Sequence, residues 1–415
     1  MSTDEGRERR PRLGTRGSRL ALTQSGQVAD ALRQAAAAGA RAPGCDNLEL
    51  DLVTVRTDGD GDRTPLRQVG GVGVFAARLR HALLDGEVDL VVHSFKDLPT
   101  QPVEGLEVIC VPPREDPHDA LCARDGLTLA ALPEGARVGT GSPRRAAQLL
   151  AARPDLEVVD LRGNVPTRLA RVRGLEAVGV GTDEPVAPRR ADAAGDLDAV
   201  VLALSGLRRL GLEHCASEVL DLETMLPAPA QGALAVEARA GENSAELARA
   251  VAALDDEPTR LAVTAERALM ARLGAGCAAP VGAWARLRGD SREPREEHAV
   301  HGTGWNEEFR GDDTAVAGTG QGAGAAGRRG STASRCSLRV LALRAVVTSL
   351  DGDREVGCEL STELPEAPGG PDSPGDAAAE AVRAAEALGI RAAEVLVEDG
   401  AGETVDLHAN KARRG

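Results

Sequence analysis

The chain has 415 residues, of which 42% are hydrophobic, and this length suffices for two or three domains that each bury a core. Its formal net charge of -15 argues against a general nucleic-acid binder, because phosphate binding needs a basic face. The N-terminus lacks the apolar segment of a signal peptide, and no run is long and apolar enough to span a bilayer. We therefore expect a cytoplasmic protein that binds neither nucleic acid nor membrane.

The first predicted element follows a lead, residues 1–11, that we expect to be disordered. Residues 13–36 then indicate a short strand, a glycine-containing turn and a helix. Arg16 and Ser18 lie in that turn, where backbone N–H groups at the start of a helix favour an anion. Residues 48–55 alternate like a strand, and residues 69–89 predict a glycine-rich turn followed by an amphipathic helix.

A buried strand and a cluster of reactive groups follow in residues 89–100, DLVVHSFKDLPT. Lys96 and Asp97 come directly after the apolar run of this strand. Loops at the carboxyl ends of strands in open α/β sheets are where such proteins bind their ligands. The carboxylate beside a lysine is a candidate acid/base pair, and a surface ion pair is the alternative interpretation.

Two strand-to-helix junctions follow in a second unit that begins near residue 114. Four arginines lie at these junctions: Arg144 and Arg145 in the first, beside Ser142, and Arg162 and Arg168 in the second. Cations in the first turn of a helix oppose its dipole, and a bound anion would compensate them. We therefore predict a carboxylate or phosphate cradle, and expect these arginines to serve binding rather than folding.

The remainder of the chain alternates between patterned and unpatterned segments. Residues 226–239 carry two prolines where the chain is expected to pass between domains. A helix is predicted at 257–273, strands at 337–360 and an alanine-rich helix with a strand at 377–397. Residues 176–196 are interpreted as a loop insertion and residues 288–335 as a disordered one.

The seven cysteines are irregularly spaced, contain no CxxC pair and leave an odd one over, which favours reduced thiols. Most are interpreted as small buried hydrophobic residues. Cys277 differs, because the flanking GAG and AAP place it on an uncrowded loop rather than in a core stripe.

Eight segments along residues 13–285 together resemble the porphobilinogen deaminase (hydroxymethylbilane synthase) family. In chain order they are LGTRGSRLA, VGGVGVF, VHSFKDLPT, REDPHDA, GTGSPRR, LRGNVPTR, LPAPAQGA and GAGCAAPVG. The resemblance implies an enzyme that joins four porphobilinogen molecules head to tail, with release of ammonia, to give hydroxymethylbilane for haem-type pigments.

The resemblance also implies an α/β fold of three domains. The first two resemble a two-lobed periplasmic binding protein, with the active site in the cleft, and the third is a small α+β domain. The expected boundaries are 12–113 with 228–252 for the first domain, 114–227 for the second and 253–415 for the third. The enzyme is expected to be a monomer.

Residue roles carry over position by position from the same segments. Asp97 matches the catalytic carboxylate, which stabilises the cationic azafulvene left when ammonia departs. Cys277 matches the residue that bears the dipyrromethane cofactor through a thioether, and no metal is implied. The implied cofactor-binding residues are Lys96, Ser142, Arg144 and Arg145, and the implied substrate-binding residues are Arg16, Ser18, Arg162 and Arg168.

Two departures and two alternatives accompany the resemblance. Gln68 and Val72 stand where the family often has lysines, and only Phe75 and Phe95 are near enough to stack on pyrrole rings. One alternative is a non-catalytic two-lobed anion-binding or sensor protein, which would have no use for Cys277. The other is a divergent, inactive copy of the enzyme.

Overall fold

A computed structural model of the protein describes most of the chain. The described residues are 10–39, 48–55, 74–175, 195–242, 244–276, 278–288, 339–365 and 374–405. Several sequence predictions lie outside them, namely those on residues 1–9, Gln68, Val72, the side chain of Phe75, most of both insertions and Cys277. None of the helices within the described ranges could cross a bilayer.

Two five-stranded sheets form the cores of two lobes. Lobe 1 contains β1 (Arg12–Thr15), β2 (Asp51–Thr54), β3 (Leu90–Ser94), β4 (Leu106–Cys110) and β10 (Leu234–Arg239). Lobe 2 contains β5 (Asp119–Ala123), β6 (Arg137–Gly139), β7 (Glu157–Val159), β8 (Ala199–Ala203) and β9 (Glu218–Val219).

The two sheets have the same topology. Their strand orders are β2-β1-β3-β10-β4 and β7-β6-β8-β5-β9. In each sheet the first three strands run parallel, and the fourth runs antiparallel to both of its neighbours. This fourth strand is the one that the chain forms directly after crossing from the other lobe. The predicted two-lobed α/β architecture is therefore confirmed.

Helices cover the sheets, and a third sheet forms a further unit. The helices of lobe 1 are α1 (Arg19–Gly39), α2 (Val74–Leu84) and α6 (Ala245–Leu254), and those of lobe 2 are α3 (Pro143–Ala152), α4 (Val165–Leu169) and α5 (Leu204–Leu210). The third unit consists of α7 (Glu257–Leu273), β11 (Val281–Leu287), β12 (Arg339–Thr348), β13 (Glu355–Leu364), α8 (Pro374–Glu398) and α9 (Ala401–Thr404). The helix predicted at 257–273 is confirmed, whereas the strand expected at 377–397 is wrong, because that whole stretch belongs to α8.

The hydrophobic cores of all three units consist mainly of alanine, valine and leucine, as the near absence of aromatic residues predicts. In the third unit, one antiparallel sheet in the order β11-β12-β13 packs against α7 and α8. Small side chains allow helices to approach closely: a Cβ on Gly389 of α8 would lie 2.1 Å from the carbonyl oxygen of Ala265 in α7. These tight contacts join the two helices into one body.

Two segments connect the lobes, residues 111–118 and residues 220–233, and they touch each other. The N–H of Glu115 in the first donates to the carbonyl of Gly232 in the second at 3.3 Å. Gly232 has φ +88°, and a Cβ there would lie 2.2 Å from the carbonyl oxygen of Glu115. Only glycine satisfies both the backbone conformation and the close approach.

A buried carboxylate fastens both segments to the third unit. Glu266 of α7 accepts two bonds from the Arg114 guanidinium, at 2.7 and 3.0 Å. It also accepts the N–H groups of Ala230 at 2.5 Å and of Ala285, at the end of the third unit's first strand, at 2.7 Å. Glu266 is fully buried, so all of these bonds are shielded from water.

The contact between the two segments predicts the effect of Gly232→Ala. The substitution should lower the free energy of unfolding by about 3 to 5 kcal/mol, because it adds a backbone overlap to an unfavourable φ. Gly241→Ala is the matched control, since Gly241 has a similar φ of +73° but open space around its Cβ position. It should cost only about 1 kcal/mol. Equal losses in urea titrations of the two variants would contradict the role given to Gly232.

Candidate active site

The predicted site residues follow the carboxyl ends of parallel strands in both lobes. In lobe 1, Arg16 and Ser18 come after β1, and Lys96 and Asp97 come after β3. In lobe 2, Ser142, Arg144 and Arg145 come after β6, and Arg162 and Arg168 come after β7. Because β1 and β3 are parallel neighbours, as are β6 and β7, each set is brought to one edge of its sheet.

A short 3₁₀ turn, Phe95–Asp97, carries the candidate catalytic pair. Asp97 is exposed, whereas Phe95 is buried. The Phe95 ring packs in a small core and lies beneath the guanidinium of Arg267, 4.4 Å from ring centre to Cζ. The expectation that Phe95 could stack on a pyrrole ring is therefore wrong, because the ring is buried and the guanidinium of Arg267 covers one of its faces.

Lys96 reaches from this turn into a charged environment. Its ammonium donates to Oε1 of Gln231 at 3.1 Å. Desolvation, followed by the nearby Arg145 cation, lowers the pKa of Lys96 to about 8, although Asp97 and Asp119 act in the opposite direction. Lys96 belongs to lobe 1 and Arg145 to lobe 2, so charges from both lobes meet at this point.

Asp119 is the counter-charge of both arginines at the start of α3. Its Oδ2 accepts from Arg144 at 2.6 Å, and its Oδ1 accepts from Arg145 at 2.7 and 3.1 Å. All three side chains are buried. Although burial acts to raise the pKa of Asp119, the two guanidinium groups outweigh it and hold the pKa far below its usual range.

The carboxylate of Asp119 bears on two sequence expectations. We expected a bound anion to compensate the cations at this helix start, and within the chain Asp119 already balances one of the two positive charges. We also expected these arginines to contribute little to folding. Buried ion pairs that lose one partner leave an uncompensated charge, so Arg144 and Arg145 are structural residues whatever else they bind.

Arg162 and Arg168, the second pair, have fewer partners. The Nε of Arg168 donates to the carbonyl of Gly163 at 2.7 Å. Burial lowers the pKa of Arg168 to about 10, and Arg145 and Arg162 act in the same direction while Asp97 opposes them. The Nε and Nη2 atoms of Arg162 are buried without a hydrogen-bond partner in the described part of the chain. Such donors call for an acceptor.

The remaining predicted residues have local structural contacts. The Ser18 hydroxyl accepts the N–H of Ala21 at 3.3 Å in the first turn of α1, and Arg16 is half-buried beside it. Ser142 precedes α3 as its N-cap, but its side chain makes no capping bond. The hydroxyl of Ser142 therefore stands at the start of the helix next to the buried pair, Arg144 and Arg145.

Gln231 is a site residue that the sequence analysis missed. Its Oε1 accepts from Lys96 and, at 3.4 Å, from Arg145, while its Nε2 donates to Asp119 at 2.8 Å. The backbone carbonyl of Gln231 accepts from Arg114 at 2.8 Å. The signals available in the sequence were the glutamine in LPAPAQGA, where the chain passes between domains, and, for Asp119, an aspartate at the start of the apolar run DALCA.

The donor set fits a cofactor that carries several carboxylates. The partnerless nitrogens of Arg162 and the similarly buried Nε of Arg144 are cationic donors without acceptors among the described residues. Carboxylates are the acceptors that guanidinium groups bind best. No cluster of metal-binding side chains occurs within the described ranges.

Comparison with protein families gives two matches. The model of the porphobilinogen deaminase dipyromethane cofactor binding domain matches residues 12–247, and that of the porphobilinogen deaminase C-terminal domain matches residues 260–292. Together they account for both lobes and the beginning of the third unit.

Comparison with characterised proteins gives relatives of nearly equal length. Porphobilinogen deaminase of Cutibacterium acnes is 46% identical and covers 97% of this chain and 99% of its own. That of Micrococcus luteus is 47% identical, with coverages of 94% and 93%, and that of Thermobifida fusca is 42% identical, with 95% for both.

Similar solved structures include a YaeC-family lipoprotein from Enterococcus faecalis, with 16% identity and a TM-score of 0.31. It covers 59% of this chain and 91% of its own. The ectoine-binding protein of the TeaABC TRAP transporter has 14% identity and a TM-score of 0.30, with coverages of 59% and 76%. TM-scores this low carry no argument about this protein.

The two-lobed fold and the family matches define a transferase with a dipyrromethane cofactor binding domain, which residues 12–247 match. The chain belongs to the porphobilinogen deaminase family, and its activity is that of a porphobilinogen deaminase, or hydroxymethylbilane synthase. The full-length relatives thus decide against the non-catalytic sensor protein.

The Asp119 cluster predicts the effect of Asp119→Asn. At pH 7 the variant should lose about 3 to 5 kcal/mol of unfolding free energy, because two buried guanidinium groups lose their counter-charge. The depressed pKa means that the Asp119 contribution is present above the unfolded-state pKa of about 4 and is lost as pH falls towards the folded-state value. The difference in unfolding free energy between parent and variant should therefore become smaller below about pH 4.

Urea titrations between pH 7 and pH 3 measure this difference. Asp125→Asn is the control, since Asp125 pairs with Arg124 at the surface and its loss should change the stability little at any pH. A difference that stays constant down to pH 3 would show that the Asp119 charge is not what stabilises the cluster.

Proposed function

We propose that the condensation of porphobilinogen takes place between the two lobes, with Asp97 as the catalytic carboxylate. The supporting observation is that Asp97 is exposed and shares its electrostatic surroundings with Lys96 from its own lobe and Arg168 from the other. An exposed carboxylate is accessible to a ligand, as this role demands.

Four residues bind the carboxylates of the substrate in this proposal: Arg16, Ser18, Arg162 and Arg168. Each porphobilinogen ring carries an acetate and a propionate, so the growing chain brings two negative charges per ring. A protein of net charge -15 needs local cations to hold such a ligand. The buried, partnerless nitrogens of Arg162 support its place in this set.

The cofactor is held covalently by Cys277 and non-covalently by Lys96, Ser142, Arg144 and Arg145. When bound, the dipyrromethane supplies the pyrrole position to which the first substrate molecule is joined. Lys96 and Arg145 both donate to the side-chain oxygen Oε1 of Gln231, which supports their action on one ligand. The pairing of Arg144 and Arg145 with Asp119 sets their direction before any ligand binds.

The role of Asp97 in the reaction follows from its charge. Breaking the carbon–nitrogen bond of porphobilinogen releases ammonia and leaves a cationic azafulvene. The Asp97 carboxylate stabilises that cation and accepts hydrogen bonds from pyrrole N–H groups. After the new carbon–carbon bond has formed, the attacking pyrrole carbon loses a proton, and Asp97 is the base positioned to accept it.

The protein acts as a monomer in the cytoplasm in this proposal. Four cysteines in the described residues are free thiols, namely Cys110, Cys122, Cys215 and Cys358. Reduced thiols are typical of the cytoplasm. Light scattering of the purified protein at two concentrations tests the monomer, which should have the same mass at both.

The intact mass of the purified protein tests the attachment of the cofactor. We expect a mass above that of the sequence by two linked pyrrole units, and peptide mapping should place the addition on Cys277. Burial raises the pKa of the Cys358 thiol to about 12, so it is a poor nucleophile and Cys358→Ser is the control that should keep the adduct. Cys277→Ser should lack the adduct and the activity.

An unmodified mass in freshly prepared protein would overturn the proposed attachment. An adduct that persists in Cys277→Ser would move the attachment to another residue.

Asp97→Asn tests the catalytic role. The substitution keeps the shape of the side chain and removes its charge, so turnover should fall by about 10²- to 10⁴-fold. The fold should survive, because Asp97 is exposed. The variant is assayed after its apoprotein has been loaded with ready-made tetrapyrrole, since cofactor assembly uses the same reaction. Turnover within threefold of the parent would leave Asp97 as a surface partner of Lys96.

A further inference from the structure

The turn that carries Lys96 and Asp97 is gripped by one side chain of the third unit. Arg267, on α7, donates through Nη1 to the carbonyl of Leu98 at 2.7 Å and to that of Phe95 at 3.3 Å. Its Nη2 donates to the carbonyl of Pro99 at 2.8 Å. The same guanidinium lies over the Phe95 ring. Three of the five carbonyls in residues 95–99 therefore converge on one cation.

Other bonds hold the beginning of this turn. The N–H of Phe95 donates to Ala233 at 3.0 Å, which continues the ladder from β3, and the N–H of Leu98 closes the turn onto Phe95 at 3.1 Å. The Lys96 ammonium adds the bond to Oε1 of Gln231. The planar Arg267 guanidinium also fixes the carbonyls of Leu98 and Pro99 at the end of the turn, because its donors lie in a fixed geometry.

The helix that supplies Arg267 also leads to the candidate cofactor cysteine. α7 ends at Leu273, where Gly274 caps it in a left-handed conformation. Cys277 follows three residues later in the sequence. Glu266, the residue directly before Arg267, fixes the same helix to both segments between the lobes. One rigid helix therefore meets the Asp97 turn and ends four residues before Cys277 in the sequence.

We propose that Arg267 is a positioning residue for the condensation, which holds the Asp97 turn in register with the loop that bears the cofactor. It acts through the backbone of residues 95–99. The proposal rests on the proposed function, because it takes Asp97 as the catalytic carboxylate. Displacement of a reacting group by about 1 Å costs up to 10²-fold in rate, so the rate is sensitive to this grip.

Arg267→Gln and Arg267→Lys test the proposal in enzyme loaded with tetrapyrrole. The glutamine variant loses the cation and most of the donors, and its kcat should fall by about 10- to 100-fold, with KM changed less than threefold. The lysine variant keeps a cation over Phe95 and can reach one carbonyl. Its decrease in log kcat should therefore be at most two thirds of the decrease in the glutamine variant. Hydrogen exchange of the amides in residues 95–100 should be faster in both.

Arg260→Gln is the matched control. Arg260 lies on the same helix and also contacts lobe 1, through Asp255 and, at 3.4 Å, the carbonyl of Ile109, but it does not touch the Asp97 turn. Its exchange should leave kcat and hydrogen exchange at residues 95–100 unchanged. An equal loss of kcat in Arg260→Gln would make Arg267 one of several general contacts and overturn the proposal.

The double variant Asp97→Asn/Arg267→Gln separates positioning from general damage. If Arg267 acts through Asp97, its loss should slow the Asp97→Asn enzyme less than threefold, whereas general damage would multiply the two losses. A full multiplication overturns the proposal. Parent-like turnover in Arg267→Gln overturns it as well and leaves the proposed function intact, whereas parent-like turnover in Asp97→Asn removes the catalytic role on which both depend.

Discussion

The buried carboxylate of Asp119 is the interaction on which the arrangement of the site depends. It pairs with two guanidinium groups at the start of a helix, where the helix dipole opposes cations, and balances one of their two charges; it also orients the Gln231 amide that accepts from Lys96. A chain with an excess of acidic residues thus presents cations to an anionic ligand at one place. The acidic side chains elsewhere in the protein do not cancel the charge of these cations, because solvent and salt screen distant charges.

The strands that precede Lys96 and the arginine junctions, the helix at 257–273 and the placing of Asp97, Arg162 and Arg168 after strands could be predicted from the sequence, because they follow from hydrophobic periodicity and from the rule that ligands bind at strand ends. The partners of these residues could not. Asp119 and Gln231 meet across 112 residues of sequence, and Arg267 meets Phe95 across 172. Such contacts depend on how the lobes and the third unit pack, which no local pattern encodes.

Phe95 illustrates the same limit from the other side. A phenylalanine beside a lysine and an aspartate looks available to a flat ligand. In the structure the side chains of Phe95 and Leu98 are both buried, and they pack in a small core with Ala76 and Val263. Residue type and neighbourhood in sequence indicate chemistry at this site, whereas the direction of each side chain is set by the 3₁₀ turn and by the helix that covers it.

The strand order also governs how this protein can be made. Lobe 2 is formed by one uninterrupted stretch of chain, but the sheet of lobe 1 has its gap between β3 and β4 filled by β10, which is synthesised only after all of lobe 2. On the ribosome, the N-terminal lobe therefore carries two open strand edges while the later lobe folds, the reverse of the usual N-terminal-first order. Open strand edges can pair with other chains and aggregate. The time that lobe 2 needs to fold before β10 is added therefore sets how long the incomplete sheet of lobe 1 is at risk of aggregation.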